Sequence, residues 1–367
     1  MFNNKRDISS PENSPPKRNK RSKKNQDAIT TAPVINAAPS AIILTKNIKS
    51  QAKRIRKEED KLDTLAQHFK QNAQIIRAPF ARESLEGTQD IAKLEAICDN
   101  KLGPDREAQH LSAQIIDKYG KPILFYFGHR IASTDGKPPP EIKLADQYKN
   151  RTQSYFDSVN APKFFDGLHP AKCEAYHVEC QRLATAVPLH NDPKRHQSPT
   201  MKYQVEVDLD RYIIDMKDKA DIEDAEKAED ANKEEKMEYA GVIHLVQGWT
   251  QQGHVNQGLY ISRDITASSS GLSKVISYYL ATRPIARALA ILFKVVFPEY
   301  YLQYQEAFDA GVWLQDDPGP FLGRAIIYKF QGRLHRDRKD VGPSVCFPVG
   351  YFTGGEMQFP QLDAKFT

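Results

Sequence analysis

Residues 332–362 read GRLHRDRKDVGPSVCFPVGYFTGGEMQFPQL and combine a candidate metal-binding pair with a glycine-rich turn. His335 and Asp337 are separated by one residue, so on an extended chain their side chains project from the same face. One imidazole and one carboxylate are two of the three protein ligands in a 2-His-1-carboxylate iron site. We therefore predict that His335 and Asp337 bind one metal ion at the end of a strand.

The segment after this pair has the order expected of a double-stranded β-helix. A connection leads to the turn Gly354-Gly355, which opens an alternating strand that Pro360 ends. A metal-bearing strand, a connection and a glycine turn into a second strand are typical of this relative of the jelly roll. Upstream, helical spacing dominates before residue 140, whereas short strands dominate from residue 324. We predict an α+β fold in which helices support an incomplete double-stranded β-helix (jelly-roll) core.

The run 332–362 resembles the Tet/JBP-like Fe(II)- and 2-oxoglutarate-dependent oxygenases, in particular fungal members associated with transposons. The resemblance implies that His335 and Asp337 hold Fe(II) and that 2-oxoglutarate is the cosubstrate. It also implies that this dioxygenase, an oxidoreductase, oxidises the methyl group of a pyrimidine that is flipped out of DNA. Four basic residues beside the pair either contact phosphate or form a solvated charged loop: Arg333, Arg336, Arg338 and Lys339.

The chain departs from the family pattern in one respect. Family members carry a second metal histidine and a cosubstrate-binding arginine on later strands, but here no histidine follows Asp337 and no arginine follows Arg338. We expect that the sequence is a C-terminally truncated copy. The alternative is a catalytically inactive, DNA-associated nuclear protein that keeps part of the oxygenase fold.

Charge is concentrated in the first 58 residues, which form a basic tail (residues 1–58). The whole chain carries a net charge of +5, although this tail alone contains 14 Lys or Arg against 4 Asp or Glu. The tail is polar and lacks apolar periodicity, so we predict that it is disordered and binds nucleic acid, with DNA as the partner. Two basic clusters have the spacing of a bipartite nuclear signal, which predicts an import receptor as a second partner and a nuclear location. Their residues are Lys5, Arg6, Lys17, Arg18, Lys20, Arg21, Lys23 and Lys24.

Three regions are predicted: the disordered basic tail at 1–58, a helical region at 59–140 and the partial oxygenase domain at 141–367. The last contains a charged insertion, 215–238, with 11 acidic and 5 basic residues. Four cysteines are too few for a disulfide scaffold, which indicates a reducing compartment. The most apolar stretch contains Arg283, Arg287 and Lys294, so we expect no membrane-spanning helix.

Local patterns predict several elements. Leu62, Leu65 and Phe69 share one helix face, and another helix begins near Ile91. Further helices are expected at 105–116, at 272–280 and at 285–297, the last two separated by Pro284. Strands are expected at 122–127, 203–209, 241–246, 325–330, 344–347 and 356–359.

Two other residue groups compete with the His335 site. The first is a second His-x-Asp pattern, followed by residues that would superficially complete a metal-binding triad and add a carboxylate-binding arginine: His190, Asp192, His244, His254 and Arg263. The second lies on one face of a helix that Pro170 opens: His169, Cys173, His177 and Cys180. The four residues of the second group would span about 16 Å, so one ion would reach only a neighbouring pair, and a packed helix face is the alternative.

Four aromatic residues are interpreted as core residues, with base stacking as the alternative: Trp249, Trp313, Tyr278 and Tyr279.

Overall fold

The structure, a computed structural model, divides the chain into two compact units, Met1–Gln51 and Ala52–Thr367. It describes residues 38–86, 90–103, 105–132, 137–149, 157–161, 163–190, 196–197, 241–250, 256, 258–266, 269–314, 317–328, 331–332, 334–335, 342–350 and 355–367. The nuclear signal and the charged insertion 215–238 therefore lie outside the described residues, as does the strand expected at 203–209.

Helices and strands are both well represented. The α-helices are α1 (Ala38–Asn72), α2 (Ile91–Lys101), α3 (Pro170–Ala186), α4 (Arg263–Thr266), α5 (Ser269–Val296) and α6 (Pro298–Gly311). The strands are β1 (Gln74–Arg77), β2 (Ala113–Ile116), β3 (Pro122–Tyr126), β4 (Ile142–Lys143), β5 (His196–Gln197), β6 (Gly241–Val246), β7 (Trp249–Thr250), β8 (Leu259–Tyr260), β9 (Gly323–Tyr328), β10 (Gln331–Gly332), β11 (Met357–Phe359) and β12 (Ala364–Phe366). The predicted α+β class is confirmed.

A four-stranded sheet with the order β3-β2-β1-β4 lies in the Ala52–Thr367 unit. Strand β1 is parallel to β2 and to β4, whereas β3 is antiparallel to β2. Its core contains Ile76 and Ile115 together with Leu362 and Phe366 from the last described strand region. Residues from both sides of the boundary expected near residue 140 therefore share one core.

The prediction of a helix at 105–116 is wrong, because residues 113–116 form β2. Ile115 and Ile116 are β-branched, and their register with β1 places them in the sheet core, where such side chains pack well. The tail boundary at residue 58 also needs correction, since α1 already begins at Ala38. Residues 38–58 contain many Ala, Lys and Arg, which are good helix formers.

Helix α5 connects two apolar cores. Its first half buries Val275 and Tyr278 in one cluster, and its second half buries Ala288 with Leu62 of α1 in another. The prediction of two helices separated by Pro284 is wrong, because Pro284 lies inside α5. An internal proline costs roughly 3 kcal/mol, and burial of both halves of the helix offsets this cost.

Two antiparallel strand pairs include strands that precede or follow His335 in the sequence. The strand predicted at 241–246 is confirmed as β6, and it pairs along its full length with β9. The strand expected at 344–347 is wrong, since these residues are irregular, whereas β11 forms a hairpin with β12. Over the ranges that the structure describes, these strands form pairs and one four-stranded sheet, so the double-stranded β-helix stays a prediction.

None of the described helices combines the length and apolar character that crossing a lipid bilayer requires.

Candidate functional site

His335, the first residue of the predicted metal pair, lies just after the β9–β10 segment. Gly332 ends β10 and pairs with position 196 of β5, so a short antiparallel ribbon precedes the histidine. The His335 side chain is exposed, and a β-carbon placed on Gly332 would lie 4.0 Å from its Cε1 atom. The imidazole therefore lies against the end of a strand with one side towards solvent.

The other motif residues lie outside the described part of the chain: Asp337, Arg333, Arg336, Arg338 and Lys339. The shared face of His335 and Asp337 thus stays a prediction. Within the residues that the structure describes, no three His, Cys, Asp or Glu side chains are grouped closely enough to hold a metal ion.

His190, the histidine of the second His-x-Asp pattern, is hydrogen-bonded to Asp264, an acid that is not part of that pattern. Its Nε2 atom lies 2.8 Å from Oδ1 of Asp264. The Asp264 side chain is only 8% exposed, whereas that of His190 is 52% exposed. Of the other four rival residues, Asp192 and His254 lie outside the described residues, while His244 lies in β6 and Arg263 begins α4.

The surroundings of Asp264 give it a structural role at the edge of β6. Its Oδ2 accepts the backbone N–H of His244 at 2.7 Å, next to the bridge in which His190 and Val242 exchange two backbone hydrogen bonds. The hydroxyl of Ser262 accepts the N–H of Val246 and donates to the carbonyl of His244. These side chains satisfy backbone groups that a further strand would otherwise satisfy.

The residues of the α3 group each make local contacts. His169 is the N-cap of α3 and accepts the Ala171 N–H at 3.3 Å, while His177 lies 3.1 Å from Gln181. Burial raises the pKa of the Cys180 thiol to about 12. A thiol with so high a pKa is a poor metal ligand and nucleophile at neutral pH, because only the thiolate is reactive.

A buried ion pair between β9 and the irregular segment that precedes it was missed by sequence reasoning. Arg324 Nη2 lies 2.5 Å from Oδ1 of Asp317, and these side chains are 17% and 0% exposed. Gln247 Nε2 donates to the other carboxylate oxygen at 2.6 Å, and the Gly319 N–H donates to Oδ1 at 3.2 Å. Burial raises the pKa of Asp317, while Arg324 and the two N–H donors favour its charged form.

The aromatic residues near this pair divide between core and surface. Tyr278 and Tyr279 are each 1% exposed, and the Arg324 guanidinium lies 4.4 Å from the Tyr279 ring centre. Trp313 is instead 44% exposed, which corrects its interpretation as a core residue, and the Trp249 side chain is outside the described part. The sequence does not predict the Asp317–Arg324 ion pair, because charged residues seven positions apart form no recognisable pattern. Only the fold brings Gln247 to these two side chains.

His335 is therefore the one member of the predicted metal pair whose position is known, and it lies on the surface beside a strand end. The His190 and Arg324 groups are satisfied by contacts that stabilise the fold. Neither the scan against protein-family models nor the search of curated proteins finds a match for this chain.

Proposed function

We propose that this chain is an Fe(II)- and 2-oxoglutarate-dependent dioxygenase that oxidises a methylated pyrimidine base in nucleic acid. The observation that carries the proposal is the run 332–362, in which a His-x-Asp pair is followed by a connection, a Gly-Gly turn and an alternating strand. In this proposal residues 141–367 form a partial oxygenase domain that contains an incomplete double-stranded β-helix core. Bound Fe(II) and 2-oxoglutarate would supply the O2-dependent oxidation of a methyl C–H bond.

His335 and Asp337 are the proposed metal ligands. The surroundings of His335 fit this role sterically, because its ring lies beside Gly332, which has no side chain, and faces solvent on the other side. A histidine binds a metal as neutral imidazole and a carboxylate binds as the anion, so the two ligands together lower the charge of a bound divalent ion.

The basic residues of the chain are proposed to recruit the substrate. Arg333, Arg336, Arg338 and Lys339 would contact phosphates near the reacting base, and the basic tail would add affinity that does not depend on sequence. The two basic clusters of the tail would bind an import receptor and direct the protein to the nucleus.

A metal-loading experiment tests the ligand assignment. Full-length protein is incubated anaerobically with Fe(II), desalted and analysed for iron by mass spectrometry. We expect H335A and D337A to retain much less iron than the unaltered chain, and H129A to retain as much, because His129 is an exposed histidine outside the motif. Equal iron content in H335A and the unaltered chain would refute the assignment.

The competing proposal is an inactive DNA-associated protein, and the excess of Lys and Arg in the basic tail supports it, because such a tail binds nucleic acid without a metal ion. Succinate release separates the two proposals. An enzyme releases succinate from 2-oxoglutarate and oxidises an oligonucleotide that contains 5-methylcytosine. A protein that binds DNA without releasing succinate is the inactive alternative.

A further inference from the structure

A cleft of about 790 Å³ opens beside the four-stranded sheet. Tyr119 and Lys121 line it from the turn between β2 and β3, and Tyr300 lines it from the first turn of α6. Arg82 lies between these two elements in the lining. The volume is within the roughly 300–1,000 Å³ that is common for ligand sites.

The turn that carries Tyr119 is held rigidly by a buried carboxylate. Asp117 is 0% exposed and accepts the backbone N–H groups of Tyr119 and Lys121 at 2.8 Å and that of Arg82 at 3.2 Å. Gly120 has a φ of 87°, a left-handed conformation that favours glycine. The position of the Tyr119 backbone is therefore fixed by the fold.

The Tyr119 side chain is nevertheless 68% exposed. A tyrosine that stabilises a core buries most of its ring, whereas this ring stands in solvent at the edge of a cleft. The Lys118 ammonium lies 4.8 Å from its ring centre. A rigid turn that presents an exposed aromatic ring with a neighbouring cation is suited to stacking on a flat ligand.

The cleft is also basic. Its lining includes Lys70, Arg82 and Lys121 but a single acidic residue, Glu299. The Arg82 guanidinium lies 5.5 Å from the Tyr300 ring centre, so the second aromatic ring of the lining also has a cationic neighbour.

The Glu83 carboxylate, which pairs with two of these cations, does not close the site. Lys121 Nζ lies 2.8 Å from Glu83, and Arg82 lies 4.0 Å from the same carboxylate. The side chains of Lys121 and Glu83 are 51% and 48% exposed. Exposed ion pairs contribute little net free energy, so a phosphate can replace Glu83 as the partner of either cation.

We propose that this cleft binds single-stranded nucleic acid, with Tyr119 stacking on a base and Arg82 and Lys121 contacting the phosphates. Proteins that bind single strands combine stacking aromatic side chains with a basic groove, and both features occur here. The inference goes beyond the proposed function, because it needs neither iron nor 2-oxoglutarate.

The test uses the full-length chain without added metal and two fluorescein-labelled probes. One is a 12-nucleotide oligothymidylate, and the other is a 12-residue abasic oligonucleotide with the same phosphates but no bases. Binding is followed by fluorescence anisotropy. We expect Y119A to bind the oligothymidylate roughly 5- to 100-fold more weakly, because it loses one stacked base. Its affinity for the abasic probe should be unchanged.

Two further variants define the roles of the ring and the charge. Y119F keeps the ring and should bind both probes as the unaltered chain does. K121Q should weaken binding of both probes and reduce the slope of log affinity against log salt by about 0.7.

Matched controls come from exposed residues that do not line the cleft. W313A removes another exposed aromatic ring, and K149Q removes a lysine that is ion-paired with Asp146 at 3.1 Å. Neither should change the preference for the oligothymidylate over the abasic probe. Because every variant keeps the basic tail, the contribution of the tail cancels in these comparisons.

Three results would overturn the inference: equal binding of the two probes by the unaltered chain, an effect of Y119A on both probes alike, or failure of Y119F to restore binding. None of them bears on His335, whose assignment is tested by iron content.

Discussion

The Asp317–Arg324 pair makes a quantitative prediction about stability. In D317N the isosteric amide keeps the shape of the side chain but removes the carboxylate that faces Arg324 at 2.5 Å. The guanidinium is left as a charge with only 17% exposure and no anionic partner in this pair. Removing one partner of a buried ion pair typically costs about 3–5 kcal/mol.

We expect a loss of about 3 kcal/mol for D317N, the lower end of that range. The guanidinium keeps its hydrogen bond to Thr282 at 3.2 Å and its position over the Tyr279 ring, and both reduce the penalty. Folded domains are stable by only about 5–15 kcal/mol, so this loss is readily measured.

A double-mutant cycle with R324M separates the pair from its surroundings. Methionine removes the charge from the buried site and retains apolar volume, so D317N/R324M leaves neither charge unpaired. We expect the double variant to be more stable than the sum of the single losses predicts, with a coupling of about 2 kcal/mol.

The assay is urea unfolding of the full-length chain, followed by circular dichroism at 222 nm. D309N serves as the control, because Asp309 is an exposed acid on α6 whose partner is the neutral Gln305. Its loss should be at most about 0.5 kcal/mol. A loss in D317N as small as that of the control, or strict additivity in the cycle, would refute this account of the ion pair.

The other predictions concern acid stability, a strand edge and localisation. Burial opposes ionisation of Asp117, but its three backbone N–H donors prevail and hold the pKa of this carboxyl below its ordinary value. The stability that ionised Asp117 contributes is therefore present above the unfolded pKa of about 3.9 and is lost as the pH falls through the lower folded pKa. In urea titrations between pH 5 and pH 3, D117N should therefore lose less stability than the unaltered chain. D264A should lower the free energy of unfolding by about 2 kcal/mol in urea, because it leaves a backbone N–H of β6 without its acceptor. H190A changes a half-exposed residue and should cost less. The reverse order would contradict the structural role of the Asp264 carboxylate. Replacing Lys20 and Arg21 by alanine should lower the nuclear fraction of a fluorescent fusion in cells, and an unchanged distribution would argue against the bipartite signal.

The elements that sequence predicted correctly are those whose own residues carry a clear period. Leu62 and Phe69 repeat at helical spacing and are both buried on α1. The apolar run 241–246 is bounded by a glycine and forms β6, whose partner β9 was also expected nearly in place. In these segments the local pattern and the tertiary environment favour the same structure.

The errors arise where a short apolar run or a proline permits two outcomes. The pair Ile115-Ile116 fits a helix or a buried strand equally well over so few residues, and its pairing with β1 decides the outcome. Pro284 suits the first turn of a helix, but apolar residues on both sides of it pack into two cores, and their burial keeps α5 continuous. Neither decision is encoded within a window of a dozen residues.

The candidate sites were predictable to different degrees for a similar reason. His335 stands out because its ligand partner is two residues away, so the chemistry is visible in the local sequence. The cleft around Tyr119 joins residues from β3 and α6 that are about 180 positions apart, and only the packing of the sheet against the helices brings them together. The turn residues 118–120 by themselves indicate only a hairpin.

One contact connects the predicted metal site with this cleft. Gly342 approaches the Tyr300 ring so closely that a β-carbon on it would lie 2.8 Å from the ring carbons, and the hydroxyl of Tyr304 donates to the carbonyl of Pro343. The segment after the motif is therefore attached to the helix that lines the cleft. Six residues lie between His335 and Gly342, so seven Cα–Cα steps place the two residues at most roughly 25 Å apart. A strand bound beside Tyr300 would thus lie within roughly 30 Å of His335, so binding in the cleft and the proposed oxidation at His335 are sterically compatible on one substrate.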